Sequence, residues 1–392
     1  MSEWKTYKIK EFAEVVGGGT PNTTISEYWN GNISWITPRD LTGYRKTYIS
    51  SGERKITEVG LKNSSSKLLP RGSVLITSRA PIGYVAIAEQ EVCTNQGFKS
   101  LIINEKIANN LFIYYWVVNN TDFLNQMGTG TTFAEISGSV VKEIEIVLPP
   151  HEEQKAIASV LSSLDDKIDL LHRQNETLEK MAETLFRKWF VEDAKEDWEV
   201  GKLDDVLTTK GGTTPSTTNH KFWNGDIHWT SPRDITTLNG IFLFDTERKI
   251  TREGLSKISS GLLPKGTLLM SSRAPVGVLA FSEVEVAINQ GYIAIIDDKD
   301  FSKEFIYLWL KINMDYVQSF ANGSTFQEIS KSAFKSIEIQ LIPKNIRKEF
   351  DKLIMPLFGK IKTNQIQIQT LTKLRDTLLP KLMSGEVRVK LD

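Results

Sequence analysis

Arginine and lysine bind phosphate oxygens, while arginine, asparagine and glutamine also reach base edges in the major groove of DNA. The chain carries such residues at matched positions in its two halves. Arg39, Arg54, Arg79 and Gln96 lie in turn-rich segments of the first half, and Arg233, Arg248, Arg273 and Gln290 lie in the matching segments of the second. Segments of this kind carry binding groups more often than packed elements do. The chemistry these types support is non-covalent recognition of a phosphodiester and of base edges. A structural reading stands beside it. Asp40 follows Arg39 and Glu53 precedes Arg54, so local ion pairs or turn braces account for both, and the Ser-Arg-Ala-Pro-x-Gly run around Arg79 shapes a tight turn by itself.

Bond-making chemistry finds no comparable footing. An amine methyltransferase of the Asn-Pro-Pro-Tyr kind needs that motif, and the one Pro-Pro pair, Pro149-Pro150, precedes a helical stretch. No Gly-x-Gly-x-x-Gly follows a strand pattern, so no dinucleotide-type loop is visible. Gly261 to Thr267 resembles a phosphate loop but lacks the lysine before its hydroxyl residue. His151, His172, His220 and His228 have no metal-ligand spacing with one another or with Cys93. The expectation is a non-catalytic chain that binds no cofactor and no metal.

These candidates must be positioned by a duplicated scaffold. Gly17-Gly18, Thr20-Pro21, Trp29-Asn30-Gly31, Trp35, Pro38-Arg39-Asp40, Glu53 to Thr57, Ser78 to Pro81, Gly83 and Asn95-Gln96-Gly97 all recur 194 residues later, as from Pro21 to Pro215, with no gap between 17 and 97. Further on the offset becomes 193, matching Thr132-Phe133 and Glu135-Ile136-Ser137 to Thr325-Phe326 and Glu328-Ile329-Ser330. A period this long means two copies of a whole domain. Short apolar runs broken by turn residues, Ser73 to Thr77 and Tyr84 to Ala88, read as strands. A short helix is expected over Asn109 to Asn119 and over Lys303 to Lys311, with a last strand over Val141 to Leu148 and over Lys335 to Leu341.

Each copy then gives way to a helical period. Ile157, Leu161, Leu164, Ile168, Leu171, Asn175, Leu178, Ala182, Leu185 and Trp189 alternate steps of four and three, and Phe350 to Leu382 repeat them at offset 193. That is a coiled-coil seam, and its 33 residues span about 50 Å at about 1.5 Å each. Asn175 and Asn364 each interrupt one seam, where a buried asparagine fixes register. Similar lengths, one interruption apiece and no other partner in the chain predict that the two helices pair with each other, antiparallel and pseudo-twofold symmetric. Helices pairing between separate chains is the alternative. Phe186, Trp189 and Phe190 exceed what a two-helix seam needs and are expected to pack within the chain. The fold class is α+β, with domains at 1–150 and 194–343 and helical spacers at 151–193 and 344–392.

At this point the chain resembles the specificity subunits of type I restriction-modification systems. The resemblance rests on Gly-Gly-x-Thr-Pro at 17–21 and 211–215, Ser-Arg-Ala-Pro-x-Gly at 78–83 and 272–277, and Asn-Gln-Gly at 95–97 and 289–291. It rests also on Leu-Pro-Pro-His-Glu-Glu-Gln at 148–154, Leu-Phe-Arg-Lys-Trp-Phe-Val at 185–191 and Leu-Leu-Pro-Lys-Leu-Met-Ser-Gly-Glu-Val at 378–387, and it covers essentially the whole chain. The second helix departs from the pattern, following Ile342-Pro343-Lys344 instead. The resemblance implies two target-recognition domains, each reading one half of a split double-stranded DNA site, with the coiled coil setting the spacer. It implies partners as well: two methyltransferase subunits holding S-adenosylmethionine, which methylate adenine, and two restriction subunits using ATP and Mg²⁺.

Residues shared by the copies cannot make two half-sites differ, so they suit architecture or phosphate binding. Discrimination is expected from Gly43 to Tyr48 against Thr237 to Phe242, Ile25 to Tyr28 against Asn219 to Phe222, and Gln126 to Thr131 against Ser319 to Ser324. Arg45, Lys46 and Asn239 are thereby expected near bases. With 48 basic and 48 acidic residues the formal charge is zero, which excludes coating of nucleic acid by bulk charge and predicts that DNA binding needs partner subunits. One cysteine suits a reducing cytoplasm, and neither a signal peptide nor a membrane span is expected. On residues alone, a bivalent adaptor for proteins or glycans stays open.

Overall fold

In the computed structural model, which describes residues 3–129, 134–195, 197–296, 299, 301–323 and 327–390, each copy of the repeat folds around its own pair of sheets. The chain divides into Met1–Leu170 with Gln369–Asp392, and Leu171–Ile368. Each unit thus combines one strand-rich domain with segments of both long helices.

In the first unit the strand order of the larger sheet is Ala13–Gly17, Lys99–Ile103, Val74–Ser78, Ile82–Ala88 and Tyr48–Ile49. Val74–Ser78 is buried at every residue, as its apolar, β-branched run dictates for a central strand. A smaller sheet sets Arg54–Ile56 antiparallel and Val92–Thr94 parallel to Trp29–Ile36. Lys5–Lys8 closes the domain against Glu145–Leu148. The second unit repeats this order strand for strand, with Thr208–Lys210, Tyr292–Ile296, Leu268–Ser271, Leu279–Ser282 and Phe242–Leu243 in the larger sheet. Its smaller sheet holds Arg248–Ile250, Trp223–Thr230 and Val286–Ile288.

Helix starts repeat too. The Asn109 side chain accepts from Phe112 N–H at the head of Asn110–Asn119, and Ser302 accepts from Phe305 N–H at the head of Lys303–Ile312, each satisfying a donor the first turn leaves free. The stretch expected as one last strand divides: Gly138–Glu143 is a short helix capped by Ser137, and only Glu145–Leu148 is extended. In the second copy Lys331–Lys335 is helical and Glu338–Gln340 extended. A serine that accepts from the N–H three residues on outweighs the β-branched pair Val140-Val141 there.

The long helices run His151–Arg187, continued by a π turn over Lys188–Glu192, and Lys344–Ser384. The second starts at the position equivalent to the first despite its departing motif. Buried Gln154 in the first start bonds Asn109 N and the carbonyls of Ile107 and Pro149. Its counterpart Arg347 is also buried, donates to Ile342 O and lies 4.0 Å from the Phe301 ring centroid. Within each unit the helix segments run antiparallel. In the first, Asp165 meets Arg375 and Glu153 meets Arg388, while Ile157, Ala158 and Leu161 share a core with Leu379, Leu382 and Met383. In the second, Asn175 meets Asn364 and Phe186 meets Phe350. Phe186 and Phe190 lie inside that unit's core, as expected from the sequence.

Candidate nucleic-acid interface

The repeated Gly-Gly-x-Thr-Pro segment is held by two tryptophans. Trp29 Nε1 donates to Asn22 O at 3.1 Å and Trp35 Nε1 to Gly19 O at 2.9 Å. In the second copy Trp223 donates to Ser216 O at 3.0 Å and Trp229 to Thr213 O at 3.5 Å. The rings pack edge to face, with centroids 5.1 Å apart in one copy and 5.0 Å in the other. Gly18 and Gly212 are required here, since a Cβ at either would sit 1.9 Å from a neighbouring carbonyl oxygen.

Over this indole pair lies an arginine. The Arg54 guanidinium is 3.5 Å from the Trp29 centroid and 5.7 Å from that of Trp35; Arg248 is 3.4 Å from Trp223 and 5.5 Å from Trp229. Both arginines are exposed. A guanidinium stacked by its face keeps its N–H edge free, and that edge fits a phosphate. Sequence reasoning nominated both arginines but not the tryptophans that orient them. The signal was present: two tryptophans six apart followed by arginine at the same distance in both copies.

Gln96 accepts from Thr20 Oγ1, and Gln290 from Thr214 Oγ1 at 2.6 Å. Threonine thus engages the amide oxygen of each exposed glutamine and leaves the NH₂ to donate elsewhere. Asn95 and Asn289 brace the same turn through Gly97 N and Gly291 N. Arg39 lies 4.0 Å from Glu53 and Arg233 3.8 Å from Glu247, all largely exposed, so these pairs are weak and leave both arginines available. Asp40 is occupied otherwise, capping Thr37 and accepting from Glu53 N. Arg79 and Arg273 are more constrained. Each is bridged through its backbone to Glu135 or Glu328 and paired with that carboxylate at 3.5 or 3.7 Å. Each lies just after the central strand in a tight turn, closed by the pairing of Ser78 with Ile82 in the first copy and by Gly277 N donating to Ser271 O in the second.

The Gly43–Tyr48 and Thr237–Phe242 loops dock against long-helix residues of their own unit. Arg45 and Lys46 line a cleft with Glu89, Asp165, Asp166 and Asp169. Asn239 Nδ2 lies 3.1 Å from His172 Nε2, and Gln365 bonds Ile241 N, Phe242 N and Phe242 O. The second differing segment lies elsewhere: Ser26–Tyr28 and His220–Phe222 directly precede the stacked tryptophans and tie to Thr57 and Thr251. Of the third, 130–131 and 324 lie outside the described residues, as do the repeated Thr132-Phe133 and Thr325-Phe326 pairs.

The seam asparagines meet each other: Asn364 Nδ2 donates to Asn175 Oδ1 at 2.9 Å, with both side chains buried. No group of His, Cys, Asp and Glu suited to a metal occurs among the described residues, and no described helix is long and apolar enough to cross a membrane.

A family model described as the type I restriction modification DNA specificity domain matches residues 1–180 and again 195–373. The chain is 36% identical to the type I restriction enzyme MjaIX specificity subunit of Methanocaldococcus jannaschii, over 99% of this chain and 94% of that protein. It is 24% identical to the HindI specificity subunit of Haemophilus influenzae, over 99% of this chain and all of that one. Its fold is similar to the crystal structure of a type I restriction-modification S subunit from M. genitalium, at TM-score 0.63 and 17% identity, covering all of this chain and 97% of that one.

Proposed function

The chain belongs to the type I restriction-modification DNA specificity family, and from that premise we propose that each of its two domains reads one half of a bipartite DNA site. The observation that carries this reading is the exposed arginine stacked on a tryptophan pair, built twice with the same geometry. Shared features of this kind hold phosphates; bases are told apart where the copies diverge. Residues of Ile25–Tyr28 and Asn219–Phe222, beside the stack, supply that divergence, with Gln96 and Gln290 presenting fixed amides. Arg39, Arg233, Arg79 and Arg273 add phosphate contacts. The long helices set the spacer. Arg45, Lys46 and Asn239 are assigned to helix docking.

The chain itself does no chemistry in this reading. Two methyltransferase subunits supply S-adenosylmethionine and methylate adenine, two restriction subunits use ATP and Mg²⁺, and the assembly works on double-stranded DNA in the cytoplasm. The adaptor reading has no comparable support, since the family match runs through both copies.

The test is expression with the cognate methyltransferase subunit in a methylation-free host, followed by single-molecule sequencing. Methylated adenines in one split motif are expected. Exchanging Ser26-Glu27 for His-Lys, as in the second copy, is expected to change one half of that motif and leave the other intact. Absence of methylation from an assembled, soluble complex would overturn the reading.

A further inference from the structure

A duplicated chain faces a problem of self-recognition, because two helices descended from one sequence inherit one seam. The second helix repeats the first at offset 193, so each could pair with a further copy of itself in the same antiparallel register. Where the two helices diverge, the structure places polar pairs, one buried and one half-buried.

In the second unit Asn364 bonds Asn175. The residue equivalent to Asn175 in the other helix is Ile368, and the one equivalent to Asn364 is Leu171. In the first unit Arg375 Nη1 donates to Asp165 Oδ1 at 2.7 Å, while Tyr115 Oη donates to Asp165 Oδ2 at 2.7 Å. The equivalents of Tyr115, Asp165 and Arg375 in the other copy are Leu308, Phe358 and Ala182, and all three lie in the core of the second unit. A polar trio in one copy is therefore an apolar trio in the other, changed together.

We propose that these pairs form a partner-choice code, which matches each long helix to the other and mismatches it to a second copy of itself. Pairing two first helices would set Asp165 against Ala182 and Asn175 against Leu171. Pairing two second helices would set Arg375 against Phe358 and Asn364 against Ile368. Every like-with-like pairing loses the Asp165–Arg375 ion pair and sets an asparagine against an aliphatic residue, whereas the native pairing keeps that ion pair and joins Asn364 Nδ2 to Asn175 Oδ1. Apolar substitution of a matched buried pair often preserves stability, while leaving one partner alone does not. The function of the code is then selectivity of pairing rather than strength, and it keeps two copies of one recognition domain from being joined.

The test uses the full chain carrying Asn175→Ile, Asn364→Leu, Tyr115→Leu, Asp165→Phe and Arg375→Ala, each residue taking its counterpart's identity. Gln174, beside the point about which two first helices would be symmetric, is changed to Cys in this chain and in an otherwise unaltered one. Both are unfolded in denaturant, refolded over a concentration series, sized by light scattering and treated with a short thiol cross-linker. The unaltered chain is expected to refold as a monomer without cross-linked dimer. The substituted chain is expected to gain dimer and cross-link by more than about tenfold, since losing the penalty of even one unmatched pair shifts an equilibrium that far. A substituted chain that stays monomeric and uncross-linked would overturn the proposal, as would cross-linked dimer from the unaltered chain. If the fivefold variant does not fold, Asp165→Arg is made alone and with Arg375→Asp. The single change is expected to aggregate or dimerise, and the charge-swapped pair to return the monomer; failure of the swap to do so also refutes the code.

Discussion

Replacing Arg54 and Arg248 with alanine separates two roles that the stacked arginines could have. If they only brace the tryptophans, the loss in each unit is one exposed arginine stacked closely on one indole and more distantly on a second, worth about 0.5–1 kcal/mol. For units of this size about 1 kcal/mol corresponds to about 2–4 °C, so the midpoint of thermal unfolding should fall by about 1–4 °C. If their free edges also hold phosphates, each removes about 0.9 from the slope of log affinity against log salt. Over a fourfold salt increase that is about 3.5-fold in affinity per contact, and about twelvefold for both. The assay is fluorescence anisotropy of the chain assembled with its methyltransferase subunits, on DNA carrying the mapped motif and on unrelated DNA, at about 50 and 200 mM salt. Both single variants should weaken the two DNAs alike and lower the slope by nearly one unit each, while the methylated motif stays the same. A full thermal shift with an unchanged salt slope would refute the phosphate assignment and leave the arginines as braces. A changed motif would refute the argument that shared residues do not discriminate.

Two further outcomes follow from single side chains. Gln365→Ala removes a buried amide that bonds Ile241 N, Phe242 N and Phe242 O; leaving such groups unpaired costs about 1–3 kcal/mol each, so thermal unfolding of the second unit should drop by roughly 5 °C or more, and a drop under about 1 °C would show that water replaces the amide. Glu143 is held at about 2, below its ordinary 4.5, by hydrogen bonds first from Lys10 and then from Lys8. A lowered carboxylate stabilises above its unfolded value and loses that contribution as pH falls, so the small advantage of the natural chain over Glu143→Gln should hold above pH 4.5 and vanish as pH approaches about 2; an advantage that grows on acidification would contradict the pairing.

Duplication and seam were both legible without coordinates, because identity at a fixed offset and a strict four–three rhythm survive any tertiary context. So were the short helices at Asn110 and Ser302 and the strands around Val74 and Ile82. The last strand was over-extended, since Val140-Val141 reads as β until Ser137 is recognised as a cap. The tryptophan–arginine stack was half legible: arginine was nominated by type, but stacking depends on a sheet register that pairs Trp35 with Arg54, and spacing alone does not state it. Arg45, Lys46 and Asn239 show a different limit. Divergence between the copies nominated them, but it does not state what they lie beside: Asp165, Asp166 and Asp169 for the first two and His172 for the third, more than a hundred and some seventy residues away in the chain.

Because each unit takes helix segments from both halves of the chain, folding cannot follow the order of synthesis. Residues 171–368 emerge complete before 369–392, so the second unit can close while the first still lacks part of its core. Until then the core that holds Ile157, Ala158 and Leu161 lacks Leu379, Leu382 and Met383, and Asp165 lacks Arg375. The interval is set by translation, at roughly 5–20 residues per second for the 200 or so residues between, hence on the order of ten seconds or more. During it the first domain is an open acceptor for any helix with the right seam, and a nascent neighbour on the same messenger would offer one.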